Sequence, residues 1–252
     1  MMSVVLEEYK DDVFTITLNR PDRKNAMDYD LLHGIYAALK NAEEQKAPFV
    51  VIRGSGKAFC SGGDIVAFKE AEDSEALIDA EAGVLHEGIR LIRNINAVVI
   101  AVIEGVAVGA GIGLALACDL SIATRNTIMN MGYRRIGLTP DGGGSIFLAR
   151  LVGAKRFNEL YLFSRNITMA EAQGLGLVNV VCEEEELEAK LAEMIKNLKS
   201  LPMETIGSFK NLVNHSLFHG LDIHLDKERF YVSQLGGTKL FKQRLEEFFK
   251  KR

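Results

Sequence analysis

The chain has no tryptophan, three cysteines and four prolines in 252 residues. Cys60, Cys118 and Cys182 form no C-x-x-C pair, and no Cys/His spacing suits zinc. An odd, sparse set of thiols excludes a disulfide scaffold and a structural zinc site. Free thiols suit a reducing compartment, and the expected location is the cytoplasm. A surplus of one charge is also lacking: 30 Lys+Arg against 34 Asp+Glu leave a net charge of −4. Without a basic surplus or stripe, a dedicated nucleic-acid binder is not expected. There is no repeat, low-complexity tract or Pro- or Ser-rich linker. Met1 to Lys10 carries two glutamates and no apolar run, which is not a secretory signal. Disorder is excluded as the main state by a hydrophobic content of 48%.

One long apolar run is present, from Ala97 to Cys118, with Glu104 its single charge. Gly105, Gly109 and Gly113 within it imitate the spacing of helix-pairing motifs in membranes. The β-branched start, Val98 to Val102, reads instead as a buried strand. The glycines then mark a turn, and Gly111 to Ala117 reads as a short buried helix. Glu104 near the centre of a lone span would be costly, so no membrane segment is expected.

Elsewhere, Val13 to Leu18 reads as a strand closed by Asn19-Arg20-Pro21-Asp22. Asp28 to Ala42 has apolar residues at helical spacing. Phe49 to Ile52 reads as a strand followed by a loop, Gly54 to Gly63. Ala76 to Ile95 reads as a long amphipathic helix, and Asp119 to Ala123 as another strand. Beyond Gly142 to Gly144 the pattern predicts helix after helix: Ser145–Leu151, Lys155–Leu162, Met169–Gly174, Glu185–Leu198, Glu204–Leu217, Leu221–Ser233 and Lys239–Lys251. The expected class is α/β, with a core over 1–195 and a C-terminal helical extension over 196–252.

Three glycine-containing loops enter helices: Phe59 to Asp64, Gly105 to Gly113 and Pro140 to Ser145. Unpaired backbone N–H groups at such junctions point outward with the helix dipole behind them. A dinucleotide fingerprint is not met, because Gly109, Gly111 and Gly113 give G-x-G-x-G with no acidic residue about twenty positions on. No G-x-x-x-x-G-K-[ST] or G-x-S-x-G occurs. His215, His219 and His224 are split by a predicted turn at Gly220, and no metal site is expected.

Seven segments in order carry a family resemblance. They are Asn19-Arg20-Pro21 with Lys24-Asn25-Ala26, the loop Phe59 to Asp64, and Gly105 to Asp119. Ile136 to Pro140, Leu151-Val152-Gly153, Ile167 to Val178 and Phe248 to Arg252 complete the series. Together the chain resembles the crotonase superfamily, the enoyl-CoA hydratase/isomerase family. The resemblance implies a crotonase-like spiral of repeated ββα units, homotrimers or homohexamers formed through the 196–252 region, and acyl-coenzyme A thioester substrates. It implies no separate cofactor. It places the thioester oxygen on the N–H groups of Gly63 and Ala110, an arrangement suited to holding an enolate. Lys24, Ala26, Ser61, Gly62, Asp64, Ile65 and Tyr133 are the implied substrate contacts. Lys24 and the terminal basic residues are candidates for coenzyme A phosphates. Phe248 and Phe249 are candidates for closing a neighbour's pocket or for packing against their own subunit.

The resemblance also places two catalytic glutamates of hydratases at Gly113 and Tyr133, so both are absent here. Asp141 remains, as in isomerases of the family that move a double bond with one carboxylate. The rival roles for Asp141 are a turn or helix cap, and a nucleophile assisted by His86, as in the aryl-CoA dehalogenase branch of the family. Hydration with substitute groups and silent acyl-CoA binding are further readings of the same loops. RNA binding, known for one branch, lacks a basic patch.

Overall fold

The computed structural model describes residues 3–250. In chain order the elements are β1 (Val5–Lys10), β2 (Val13–Leu18), α1 (Tyr29–Glu44), β3 (Phe49–Gly54), α2 (Ile65–Glu70), α3 (Ser74–Asn94), β4 (Val98–Ile103), β5 (Val106–Val108), α4 (Ala110–Ala117), β6 (Leu120–Thr124), β7 (Ile128–Asn130), α5 (Gly144–Phe163), β8 (Ile167–Thr168), α6 (Met169–Gly174), β9 (Val180–Cys182), α7 (Leu187–Leu198), α8 (Ile206–Leu217), α9 (Leu221–Gly236) and α10 (Lys239–Lys250). β1 and β2 form an antiparallel hairpin at one edge. Asp11 and Asp12, both with φ above zero, turn it. From β2 onward the large sheet is parallel, in the order β1-β2-β3-β4-β6-β9.

Parallel strands buried on both faces must be apolar throughout, and β4 (VVIAVI) is fully buried. Val99, Ala101 and Ile103 face the main core beside α1 and α3. Val98, Ile100 and Val102 face a second core closed by Leu187 and Leu191 of α7 and Ile206 of α8.

A second, three-stranded sheet runs β5-β7-β8. Isolated bridges Met27↔Gly63 and Cys60↔Ala107 continue its pairing toward the N-terminus. Each turn of the chain therefore lays one strand in the large sheet, one short extended segment in the small one, and then a helix. This is the ββα spiral expected from the resemblance, with helices packed outside it.

Several sequence expectations change in detail. The Gly105–Gly113 loop contains strand β5, too short for periodicity to reveal. Strands β8 and β9 interrupt the region read as wholly helical. The long helix starts at Ser74, because the Asp73 side chain accepts from Ala76 N–H. The two helices expected on either side of Gly153 are present within α5, parted at Gly153 by non-helical φ 76° and ψ 161°. Gly220 makes the expected turn at φ 78°.

The C-terminal helices lie directly on the core. Lys210 of α8 is buried, and its ammonium donates to Ile92 O at 2.8 Å, Ala97 O at 3.0 Å and Asp119 Oδ2 at 2.7 Å. Among the described residues, no helix is long and apolar enough to cross a membrane. Met1, Met2, Lys251 and Arg252, the last two named above as phosphate candidates, lie outside the described residues.

Candidate active site

The two helix-entry loops meet through main-chain bonds. Cys60 N donates to Val106 O at 3.0 Å, and Val108 N to Cys60 O at 2.9 Å. On the other side, Met27 N donates to Gly62 O and Asp64 N to Met27 O, both at 2.8 Å. Gly62 has φ 89°, and a Cβ there would lie 2.7 Å from Val108 O. Glycine is what allows this approach. Among the N–H groups left over are those of Gly63 and of Ala110, the first residue of α4, which have no acceptor among the described residues. Both residues line one cavity of about 400 Å³.

Lys24, Ala26, Ser61, Gly62, Asp64, Ile65, Tyr133 and Asp141 line the same cavity. Their side chains are not equally available. Asp64 caps α2 by accepting from Val66 N at 3.0 Å, and its Oδ2 pairs with Arg20 at 2.9 Å. Its carboxylate is thus committed to structure. Ser61 Oγ donates to Arg23 O at 3.2 Å. Lys24 is exposed at the rim, with φ 50°. Phe248 lines this chain's own cavity, and Phe249 stacks edge-on against it under Lys69.

Asp141 sits half-buried on the floor. Tyr133 Oη donates to its Oδ1 at 2.7 Å. Burial raises the Asp141 pKa to about 6, against the lowering effect of the Tyr133 bond. The Tyr133 hydroxyl is held well above its usual pKa, first by burial and then by the facing Asp141 charge. Asp141 is therefore a carboxylate that takes up and releases a proton near neutrality. Its side chain is not a helix cap: α5 begins beyond it, with Gly143 at the cap position.

His86 is placed differently from the expectation of a water-activating group. It is 1% exposed and lines no part of the cavity. Its Nε2 accepts the Gly142 N–H at 3.0 Å, which requires the neutral ring. Burial lowers its pKa to about 3. Cys60, also buried, is pushed up to about 12 and is no nucleophile.

Two acids missed by the sequence reading flank the site. Glu228 of α9 is buried behind the Asp141 loop. It accepts from Gly143 N at 2.7 Å, Ser145 N at 2.9 Å and Ser145 Oγ at 2.5 Å. It thus supplies, from another helix, the acceptors that the start of α5 needs. Burial still raises its pKa to about 7. Glu81 of α3 is buried near Asp141. Neither has a local signal, since each sits in a helical stretch with the charges of an ordinary solvated face.

The positions of the absent glutamates are filled. A Cβ on Gly113 would lie 2.2 Å from Gly142 O, so the Asp141 loop rests directly on α4. Tyr133 occupies the other position and bonds Asp141.

The enoyl-CoA hydratase/isomerase family profile matches residues 8–252. The chain belongs to this family. It is 28% identical over its whole length to 1,2-epoxyphenylacetyl-CoA isomerase of Escherichia coli (strain K12), covering 97% of that protein. It is 30% identical to 4-chlorobenzoyl coenzyme A dehalogenase-2 of Arthrobacter sp, over 96% of this chain and 88% of that one. Among solved structures, the enoyl-CoA hydratase from Bacillus halodurans superposes with a TM-score of 0.90 at 27% identity, covering 97% of this chain and 100% of that one. The crotonase fold is shared, and the relatives span isomerase, dehalogenase and hydratase chemistry on it.

Proposed function

We propose that this member of the family is an acyl-CoA isomerase that moves a double bond from the 3-position to the 2-position of an enoyl-CoA. The observation that carries this reading is one proton-exchanging carboxyl, Asp141, beside two unpaired N–H groups in the same cavity. The Asp141 carboxylate removes a proton from C2. The electron pair passes into the thioester, and the oxygen gains charge between the Gly63 and Ala110 N–H groups. The electrons then return, C4 takes the proton from Asp141, and the double bond lies between C2 and C3. No water, electron carrier or further cofactor enters the balance, and one group serves both transfers.

Two features speak against the rivals. Two-glutamate hydration lacks its acids, and Gly113 has no room for one. A covalent dehalogenase route needs a base for water, and His86 is sealed behind Gly142. Exposed apolar side chains on the C-terminal half, including Phe163, Phe209, Leu212 and Ile223, support assembly into a homotrimer or homohexamer. The test is to mix the protein with a medium-chain 3-enoyl-CoA and follow the absorbance of the conjugated product. Appearance with the wild type and loss with Asp141→Asn supports the reading. No conjugation despite tight thioester binding sinks it.

A further inference from the structure

Beside the main cavity lies a recess of about 30 Å³. That is room for one or two non-hydrogen atoms, on the order of the 10–15 Å³ that a water centre needs. Gly63, Phe68, Ala110 and Asp141 line both spaces, so the recess opens beside the thioester-oxygen donors and the proton shuttle. The rest of its wall is apolar, from residues such as Leu32, Ile78 and Leu85, with one exception.

The exception is Glu81. It is 5% exposed, and its Oε1 has no hydrogen-bond partner. Asp28, Asp64 and Asp141 lie close enough to oppose its charge. The cation among them, Arg20, is taken up by Asp28 and Asp64, both at 2.9 Å. Burial first, and these three carboxylates second, raise the Glu81 pKa to about 8. At neutral pH Glu81 is mainly a carboxylic acid, which can donate as well as accept. A buried polar atom left without a partner destabilises the fold unless a ligand completes it.

We propose that Glu81 is the residue that recognises an oxygen substituent on the acyl group, close to its reacting carbons, so that the preferred substrate is an oxygenated acyl-CoA rather than a plain hydrocarbon chain. The recess fits one hydroxyl or oxo oxygen with the carbon bearing it. C3 and C4 carry the double bond, so the position next to Gly63, Ala110 and Asp141 puts that oxygen on C5, the next carbon of the chain. The Tyr29 backbone already bonds the Glu81 carboxyl, but a plain chain would leave Oε1 without a partner, whereas an oxygenated one pairs it. The proposal rests on the acyl-CoA reading of the main cavity.

Calorimetric titration tests it with hexanoyl-CoA, both configurations of 5-hydroxyhexanoyl-CoA, and 5-oxohexanoyl-CoA. The proteins are wild type, Glu81→Gln and Glu81→Leu. The wild type is expected to bind at least one oxygenated ligand about tenfold more tightly than hexanoyl-CoA. Glu81→Leu, which suits the apolar wall and is expected to fold, should lose that preference while keeping hexanoyl-CoA affinity. Glu81→Gln, which still donates, should keep most of it. Equal binding of all ligands by the wild type, or a preference unchanged in Glu81→Leu, overturns the proposal alone. Failure of every acyl-CoA to bind the wild type overturns the acyl-CoA reading and this proposal with it.

Discussion

Tyr133 Oη stands 2.7 Å from Asp141 Oδ1 and 3.2 Å from the carbonyl oxygen of the same residue. One phenol thus holds both the carboxyl and the backbone of the residue proposed to move the proton. Its bond favours the charged carboxylate and opposes the rise caused by burial. The base form is the one that starts the reaction, so kcat/KM should fall as pH drops through about 6. Tyr133→Phe removes the stabilising bond, and the acid limb should move upward by about one pH unit. A pH–rate profile of both proteins checks this, and an unmoved limb would separate Tyr133 from the titration.

Asp141→Asn keeps the shape of the side chain and removes its basicity. Turnover of a 3-enoyl-CoA is expected to drop by about 10²- to 10⁴-fold, the usual share of general acid–base catalysis. Thioester affinity should stay within about threefold, since the Gly63 and Ala110 donors are untouched. Stopped-flow turnover beside equilibrium binding measures both quantities. A variant as fast as wild type would place the base elsewhere.

Gly113→Glu puts a glutamate back at the hydratase position, and it should not create hydration. Its Cβ would meet Gly142 O at 2.2 Å, so the loop carrying Asp141 must shift. Overpacking against backbone costs about 1–3 kcal/mol, which lowers Tm by roughly 2–12 °C in a chain of this size. Calorimetry and a 2-enoyl-CoA hydration assay report on it together. A fully stable, hydrating variant would contradict the contact.

Glu228→Ala leaves two N–H groups and a hydroxyl without their acceptor. The expected loss is about 3 kcal/mol, a Tm fall of roughly 6–12 °C. Turnover should fall as well, because the loop ahead of α5 is no longer anchored. Glu228→Gln keeps one acceptor oxygen and should be milder on both measures. Equal stability of all three proteins would deny the anchoring role.

Asp141, Glu81 and Glu228 all have pKa values raised by folding, to about 6, 8 and 7 from the ordinary 3.8, 4.5 and 4.5. Buried His86, lowered to about 3, opposes them below about pH 6.5, so the folded chain clearly binds more protons than the unfolded chain between about pH 6.5 and 8. Stability should decline as pH rises through that window. In Glu81→Leu the decline between about pH 7 and 8 should largely flatten. Denaturant midpoints measured from about pH 6.5 to 8.5 test the slope, and a wild type that grows more stable with rising pH would reverse the sign.

The local chemistry of the site was legible because glycine-rich helix entries announce themselves. Gly62, Gly63, Ala110 and Asp141 lie in or beside such loops, and their spacing matches the family. The long helices were legible from apolar spacing, while their ends were not: the Asp73 cap brings α3 forward to Ser74, and α9 runs on to Gly236. Strands β5 and β7, at three residues each, are shorter than any period that could reveal them. Glu81 and Glu228 were hidden for another reason. A glutamate in a charged helical stretch reads as solvated, and only the packing of α3 and α9 against the spiral buries them. His86 could be picked out, but not that its ring would serve a backbone N–H instead of water.

The frame holding the Gly63 and Ala110 donors is made of main-chain bonds between Met27, Cys60, Gly62, Asp64, Val106 and Val108. Side-chain identity hardly enters it, apart from the glycines that allow close approach. Mutation can therefore change what faces the donors while the donors stay in place. With the donors in their proposed role, such a site can drift from one reaction to another in single steps. A lineage built on this frame keeps its two donors through the backbone and explores the rest of the cavity one side chain at a time.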